Sequence, residues 1–139
     1  MKSKRPILLV EDDQVDAMAV KRAFKEIHVT NRIDTAENGE VALSYLMDTQ
    51  RERPCIILLD LNMPKMNGIE FLSIVKQDKI LRKIPVVVLT TSKEEEDRVK
   101  SFNLGIAGYM IKPVEFSKFV DVVRTIDLYW TLSLLPEED

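Results

Sequence analysis

Three consecutive carboxylates, Glu11, Asp12 and Asp13, follow one short apolar run, and a fourth, Asp60, follows another. The hydroxyls of Thr90, Thr91 and Ser92 end a third run, and the amine of Lys112 ends a fourth. Brought together, these groups have a definite chemistry. Carboxylates a few ångströms apart repel, and a pKa rises unless a cation neutralises them. Hard oxygen donors, with no His or Cys among them, suit Mg²⁺ or Mn²⁺ rather than zinc. A divalent ion, a lysine and a hydroxyl around one carboxylate form a phosphoryl-transfer site, in which the protein supplies position and charge. The carboxylate itself can be the nucleophile. Any one Asp after an apolar strand reads equally well as a helix cap or turn residue; the complete set at successive run ends argues for chemistry.

Whether the groups meet depends on the elements that carry them. The apolar runs at 7–10, 55–59, 86–89 and 109–111 are too short for helices and show no alternation, as expected of strands buried on both faces of a parallel sheet. Residues 32–36 mix polar and apolar types and predict an edge strand. Between these runs the apolar residues recur at helical spacing: Val20, Ala23, Phe24 and Ile27; Gly39, Ala42, Leu43 and Leu46; Gly68, Phe71, Leu72 and Val75; Phe116, Phe119, Val120 and Val123. A more polar segment, 93–103, has Val99 and Phe102 as its anchors and predicts a short, exposed fourth helix. Segments 50–54 and 77–84 read as surface loops. The alternation predicts a (βα)₅ α/β fold with helices on both faces of the sheet. In such sheets ligands gather beyond the carboxyl ends of the strands, where Glu11, Asp12, Asp60, Thr90 and Lys112 fall.

The chain has 139 residues, the size of one domain, and at 45% hydrophobic it can bury a core. A net charge of −3 gives no electrostatic reason to bind nucleic acid. No apolar stretch approaches the ~20 residues of a membrane span. The N-terminal apolar run stops at Glu11, short for a signal peptide, and the single cysteine, Cys55, permits no internal disulfide. A cytoplasmic protein with no membrane contact is expected.

The segments ILLVEDD, LLDLNMPKMNG, VVVLTTS and GYMIKP, in this order and at these separations, resemble the receiver domain of two-component response regulators. The resemblance covers nearly the whole chain. It implies a doubly wound, flavodoxin-like fold with a five-stranded parallel sheet in order 2-1-3-4-5. It also implies roles. Asp60 is the phosphoacceptor. Asp12 and Glu11 hold Mg²⁺ (or Mn²⁺) together with Asp60 and the backbone carbonyl of Asn62. Thr90 bonds a phosphoryl oxygen, and Lys112 pairs with the Asp60 carboxylate and then with the phosphoryl group. Tyr109 is the aromatic switch residue that turns inward when Thr90 moves. A cis peptide before Pro113 is expected to aim Lys112 inward, and Met63, Pro64 and Gly68 shape the loop after Asp60. Glu11 stands where Asp is common, which lengthens one metal arm, and Thr91 is bulkier than the usual Ala or Gly.

The segments ILLVEDDQVDAMAVKRAF and LYWTLSLLPEED further resemble the stand-alone regulators paired with phytochrome-type and other hybrid histidine kinases. A receiver domain over 1–129 with a C-terminal tail over 130–139 is implied. The expected partners are a sensor histidine kinase and a downstream protein or histidine phosphotransfer protein. The apolar tail, with Tyr129, Trp130, Leu132, Leu134 and Leu135, must pack somewhere; a homodimer through the fourth and fifth helices and the tail is expected, with folding back onto its own domain as the other reading.

Competing functions fit less well. The chain is expected to be an acceptor that loses its phosphoryl group by autodephosphorylation, not an enzyme. It could instead relay the group to a histidine transfer protein. A Mg²⁺-dependent aspartyl phosphatase of the haloacid-dehalogenase type would need an acid two residues after the nucleophile, where Asn62 stands. A pseudo-receiver would have lost part of the set, and no GxxxxGK[ST] loop is present for nucleotide hydrolysis. His28, the only histidine, is expected at the C-terminal end of the first helix. Cys55 is expected in the core, and the acidic run Glu94 to Asp97 in a solvated first helical turn.

Overall fold

A computed structural model describes residues 3–61, 63, 66–90 and 105–132, the side chains of 130–132 excepted. Strands β1 (Ile7–Val10), β2 (Ile33–Ala36), β3 (Ile56–Leu59), β4 (Val86–Thr90) and β5 (Gly108–Ile111) form one parallel sheet in order β2-β1-β3-β4-β5. Helices α1 (Gln14–Glu26), α2 (Gly39–Met47), α3 (Gly68–Gln77) and α4 (Phe116–Leu132) connect or follow them. The expected topology is observed. The loop expected at 77–84 contains a 3₁₀ turn, Leu81–Lys83. The helix expected at 93–103, the acidic run within it and the tail beyond Leu132 lie outside the described residues, whereas the tail's first residues, 130–132, continue α4.

The sheet is continuous because its central strands have apolar side chains on both faces. β1 and β3 are buried at every position. Leu8, Val10, Ile57, Leu59, Val86 and Val88 pack on one face with α2 and α3. Ile7, Leu9, Ile56, Leu58, Val87 and Leu89 pack on the other with α1 and α4. Each large aliphatic side chain so buried contributes about 1.5–3 kcal/mol. Cys55 is buried just before β3. β2, the edge strand, is fully buried only at Ala36. There Asp34 accepts from the Arg32 guanidinium (2.9 and 3.0 Å) and from Tyr45 Oη (2.5 Å), which places charge on an otherwise sticky edge.

Polar residues between the sheet and its helices start α1, α2 and α3 sharply. Asp13 accepts from the N–H groups of Val15 (2.8 Å) and Asp16 (3.1 Å). Asn38 accepts from Val41 (2.9 Å), and Asn67 from Glu70 (3.0 Å). Asp13 is therefore a helix cap, the structural alternative weighed for any acid in this position. α1 stops at His28, whose φ is +64°. The His28 N–H bonds Lys25 O and the Val29 N–H bonds Phe24 O, both at 3.0 Å, the paired bonds of a Schellman ending.

Candidate functional site

Ladder hydrogen bonds run one residue past the strands and anchor the site to the sheet. The N–H of Glu11 bonds Ala36 O (2.9 Å), that of Asp60 bonds Val10 O (3.0 Å), and that of Lys112 bonds Thr90 O (2.7 Å). Backbone pairing thus brings residues distant in sequence to one carboxyl edge. There, ligand oxygens of Glu11, Asp12 and Asp60 lie within 4.8 Å of one another. Thr90, 1% exposed, ends β4 beside them. Val88 pairs with Tyr109 and Thr90 with Ile111, so alternation places Thr90 and Tyr109 diagonally on one sheet face. Tyr109 is partly buried against the core on that face.

Lys112 enters from β5, and its Nζ lies 2.6 Å from Glu11 Oε1, 3.5 Å from Asp16 Oδ2 and 3.9 Å from Asp60 Oδ2. The expected pairing with Asp60 is thus the longest of the three contacts. Glu11, one methylene longer than Asp, reaches the ammonium first. The expected cis bond before Pro113 is not observed: no cis peptide occurs among the described residues. Lys112 reaches the carboxylates on the trans chain, the isomer favoured by about 0.5–1 kcal/mol for X–Pro bonds.

The electrostatics are unbalanced. Burial pushes the Glu11 carboxyl up to about 8, the hydrogen bond with Asp60 adds to the rise, and Lys112 opposes both. Burial works to lower the Lys112 pKa, but the bond to Glu11 and the charges of Glu11, Asp60 and Asp16 raise it overall. Lys112 therefore stays charged while Glu11 tends to keep a proton. Among the described residues three carboxylates meet there with one ammonium, and a hard divalent cation on their oxygens would displace that proton. The donor set fits such an ion.

Two glycines let the loop after Asp60 pack closely. A Cβ on Gly68 would come within 2.6 Å of Leu61 Cα and 2.9 Å of Asp60 O. A Cβ on Gly39 would come within 2.9 Å of Met66 O. Their N–H groups bond Leu61 O (3.1 Å) and Met66 O (3.3 Å) respectively. Asn62, Pro64 and Thr91 lie outside the described residues. Sequence reasoning missed Asp16. An acid in a first helical turn is the ordinary complement of the helix dipole, and nothing in its spacing marks it as a partner of Lys112.

The chain matches the response regulator receiver domain family over residues 7–124. It is 42% identical over 127 residues to a probable methanogenesis regulatory protein, FilR2, of Methanothrix harundinacea, covering 89% of this chain and 82% of that protein. It is 36% identical over 128 residues to response regulator Rcp1 of Synechocystis sp., covering 89% and 87%. The Mn²⁺-bound form of Rcp1 superposes with a TM-score of 0.85 at 35% identity, covering 97% of this chain and all of that one. The phosphorylated cyanobacterial phytochrome response regulator RcpA superposes equally well, with a TM-score of 0.85 at 36% identity over 95% and 98% of the two chains. No helix among the described residues is long and apolar enough to cross a membrane. With its sheet order, its acidic cluster and its strand-end lysine, this chain belongs to the response regulator receiver domain family.

Proposed function

We propose that Asp60 accepts a phosphoryl group from a sensor histidine kinase in a Mg²⁺-dependent reaction, and that the modified domain signals through protein contacts in the cytoplasm. The observation that carries this reading is the meeting of Glu11, Asp12 and Asp60 within 4.8 Å, with the Lys112 ammonium among them. A carboxylate oxygen of Asp60 attacks phosphorus; the bond from phosphorus to the donor's imidazole nitrogen breaks, and that nitrogen keeps the electron pair. Glu11, Asp12 and Asp60, with the Asn62 carbonyl, would hold the ion, Mn²⁺ serving as well as Mg²⁺. Held by these residues, such an ion would supply charge neutralisation to the transferring oxygens. Lys112 then turns toward the new phosphoryl oxygens, and Thr90 donates to one of them. Tyr109, on the same sheet face as Thr90, follows into the vacated space, a shift between two packings. The domain acts as an acceptor that dephosphorylates itself, not as a turnover enzyme.

The likeness to a cyanobacterial phytochrome response regulator supports a phytochrome-type kinase as donor, a hybrid kinase being the other reading. Leu128 and Tyr129, 56% and 55% exposed on α4, support a two-fold contact between copies. A strict monomer in sedimentation, with and without beryllofluoride, would end that part of the reading. The acceptor itself is tested by intact mass after incubation with Mg²⁺ and acetyl phosphate. A single added phosphoryl group, absent in Asp60→Asn, is expected; labelling that survives the substitution would move the acceptor elsewhere.

A further inference from the structure

Asp16 lies outside the acidic cluster but on its lysine. Its Oδ2 is 3.5 Å from Lys112 Nζ, while Glu11 Oε1 is 2.6 Å from the same atom. An ammonium has three hydrogens to give, so the two carboxylates can share it. They differ in what else they do. Glu11 is buried within the cluster that fits a cation, its side chain 1% exposed. Asp16 stands on the first turn of α1, 49% exposed, at a helix N-terminus, where an acidic side chain suits the helix dipole. Its backbone N–H is fixed by Asp13 Oδ1 at 3.1 Å.

We propose that Asp16 is a positioning residue for Lys112: it receives the ammonium when a divalent cation draws the Glu11 carboxylate away, and so eases loading of the metal. A cation on Glu11, Asp12 and Asp60 repels Lys112 and competes for its closest partner. Among the described residues, Asp16 is the one carboxylate paired with Lys112 that the cation does not claim. On this arrangement Lys112 stays near the site, held by a solvated and weaker partner, and can leave it for phosphoryl oxygens. The inference rests on the metal reading above.

A double-mutant cycle on Mg²⁺ affinity, measured by titration calorimetry of the intact chain with the metal alone, tests it. The variants are Asp16→Asn, Lys112→Met and the pair, Met keeping the aliphatic stem of the lysine. Asp16→Asn is expected to weaken Mg²⁺ binding about 3- to 10-fold when Lys112 is present, and under about 2-fold when it is Met. Asp16→Glu is expected to restore most of the affinity. An equal loss in both backgrounds would mean that Asp16 acts on the ion by its charge alone, and would overturn the proposal, as would no loss in either. A wild-type chain that takes up no Mg²⁺ fails the metal reading itself, whereas Mg²⁺ binding with an additive cycle fails only the role of Asp16.

Discussion

The ammonium of Lys112 sits 2.6 Å from Glu11 and 3.9 Å from Asp60, so the strand-end lysine holds a candidate metal ligand more closely than it holds the candidate acceptor. Metal and lysine then compete for one carboxylate. Proton and metal compete for it as well, because burial and Asp60 raise the Glu11 pKa to about 8 from an ordinary 4.5.

This competition makes stability and metal affinity depend on pH in opposite senses. Below about 4.5 both folded and unfolded chains hold the Glu11 proton. Between 4.5 and about 8 the folded chain holds a proton that the unfolded chain has lost, so the stabilising contribution falls as pH rises through this window. Lys112, its pKa raised above 10.5, stays charged throughout and contributes nothing to the trend. Without divalent ions, the melting temperature should therefore fall between pH 5 and 8 by more in the wild type than in Glu11→Gln. Mg²⁺ should raise it more at pH 8 than at pH 5, and calorimetry in buffers of different ionisation enthalpy should count up to one proton released per ion near pH 7. A pH-independent Mg²⁺ affinity would refute the assignment of the raised pKa.

Gly68→Ala should distort the loop after Asp60. The added methyl would meet Leu61 Cα and Asp60 O, both backbone atoms, which cannot swing aside as a side chain can. A cost of about 1–3 kcal/mol is expected from such overpacking, read as a lower urea midpoint. Because the clash falls on Leu61 and reaches the backbone carbonyl of Asp60, phosphorylation by acetyl phosphate should slow even where the variant is fully folded. Normal labelling with lowered stability would confine Gly68 to a structural role.

The fold was legible because its signals are local and repeated. Ile7–Val10 and Ile56–Leu59 carry unbroken apolar runs that a doubly covered sheet demands, and β2 betrays its edge position by Asp34 and Thr35. Glu11, Asp12, Asp60 and Lys112 were legible as a set because strand ends in a parallel sheet share one edge. Which carboxylate Lys112 touches was not, since that depends on side-chain reach: the extra methylene of Glu11 decides it. Asp13 and Asp16 look alike in the sequence, yet one caps α1 and the other pairs with Lys112. The trans bond before Pro113 leaves no mark on residue types at all.

His28→Gly should stabilise the domain. His28 closes α1 at φ +64°, a conformation that costs an L-residue roughly 1–2 kcal/mol and glycine almost nothing. Its N–H and that of Val29 already satisfy the last carbonyls of the helix, so the hydrogen bonds survive the change. Glycine also gains freedom in the unfolded chain, which offsets part of the benefit, and a net gain of about 0.5–1 kcal/mol is expected. The measurement is the urea midpoint at constant m-value. His28→Ala is the control: it removes the imidazole but keeps the backbone strain, and should gain nothing. Equal stabilisation by Ala and Gly would trace the effect to the lost side chain rather than to the left-handed backbone.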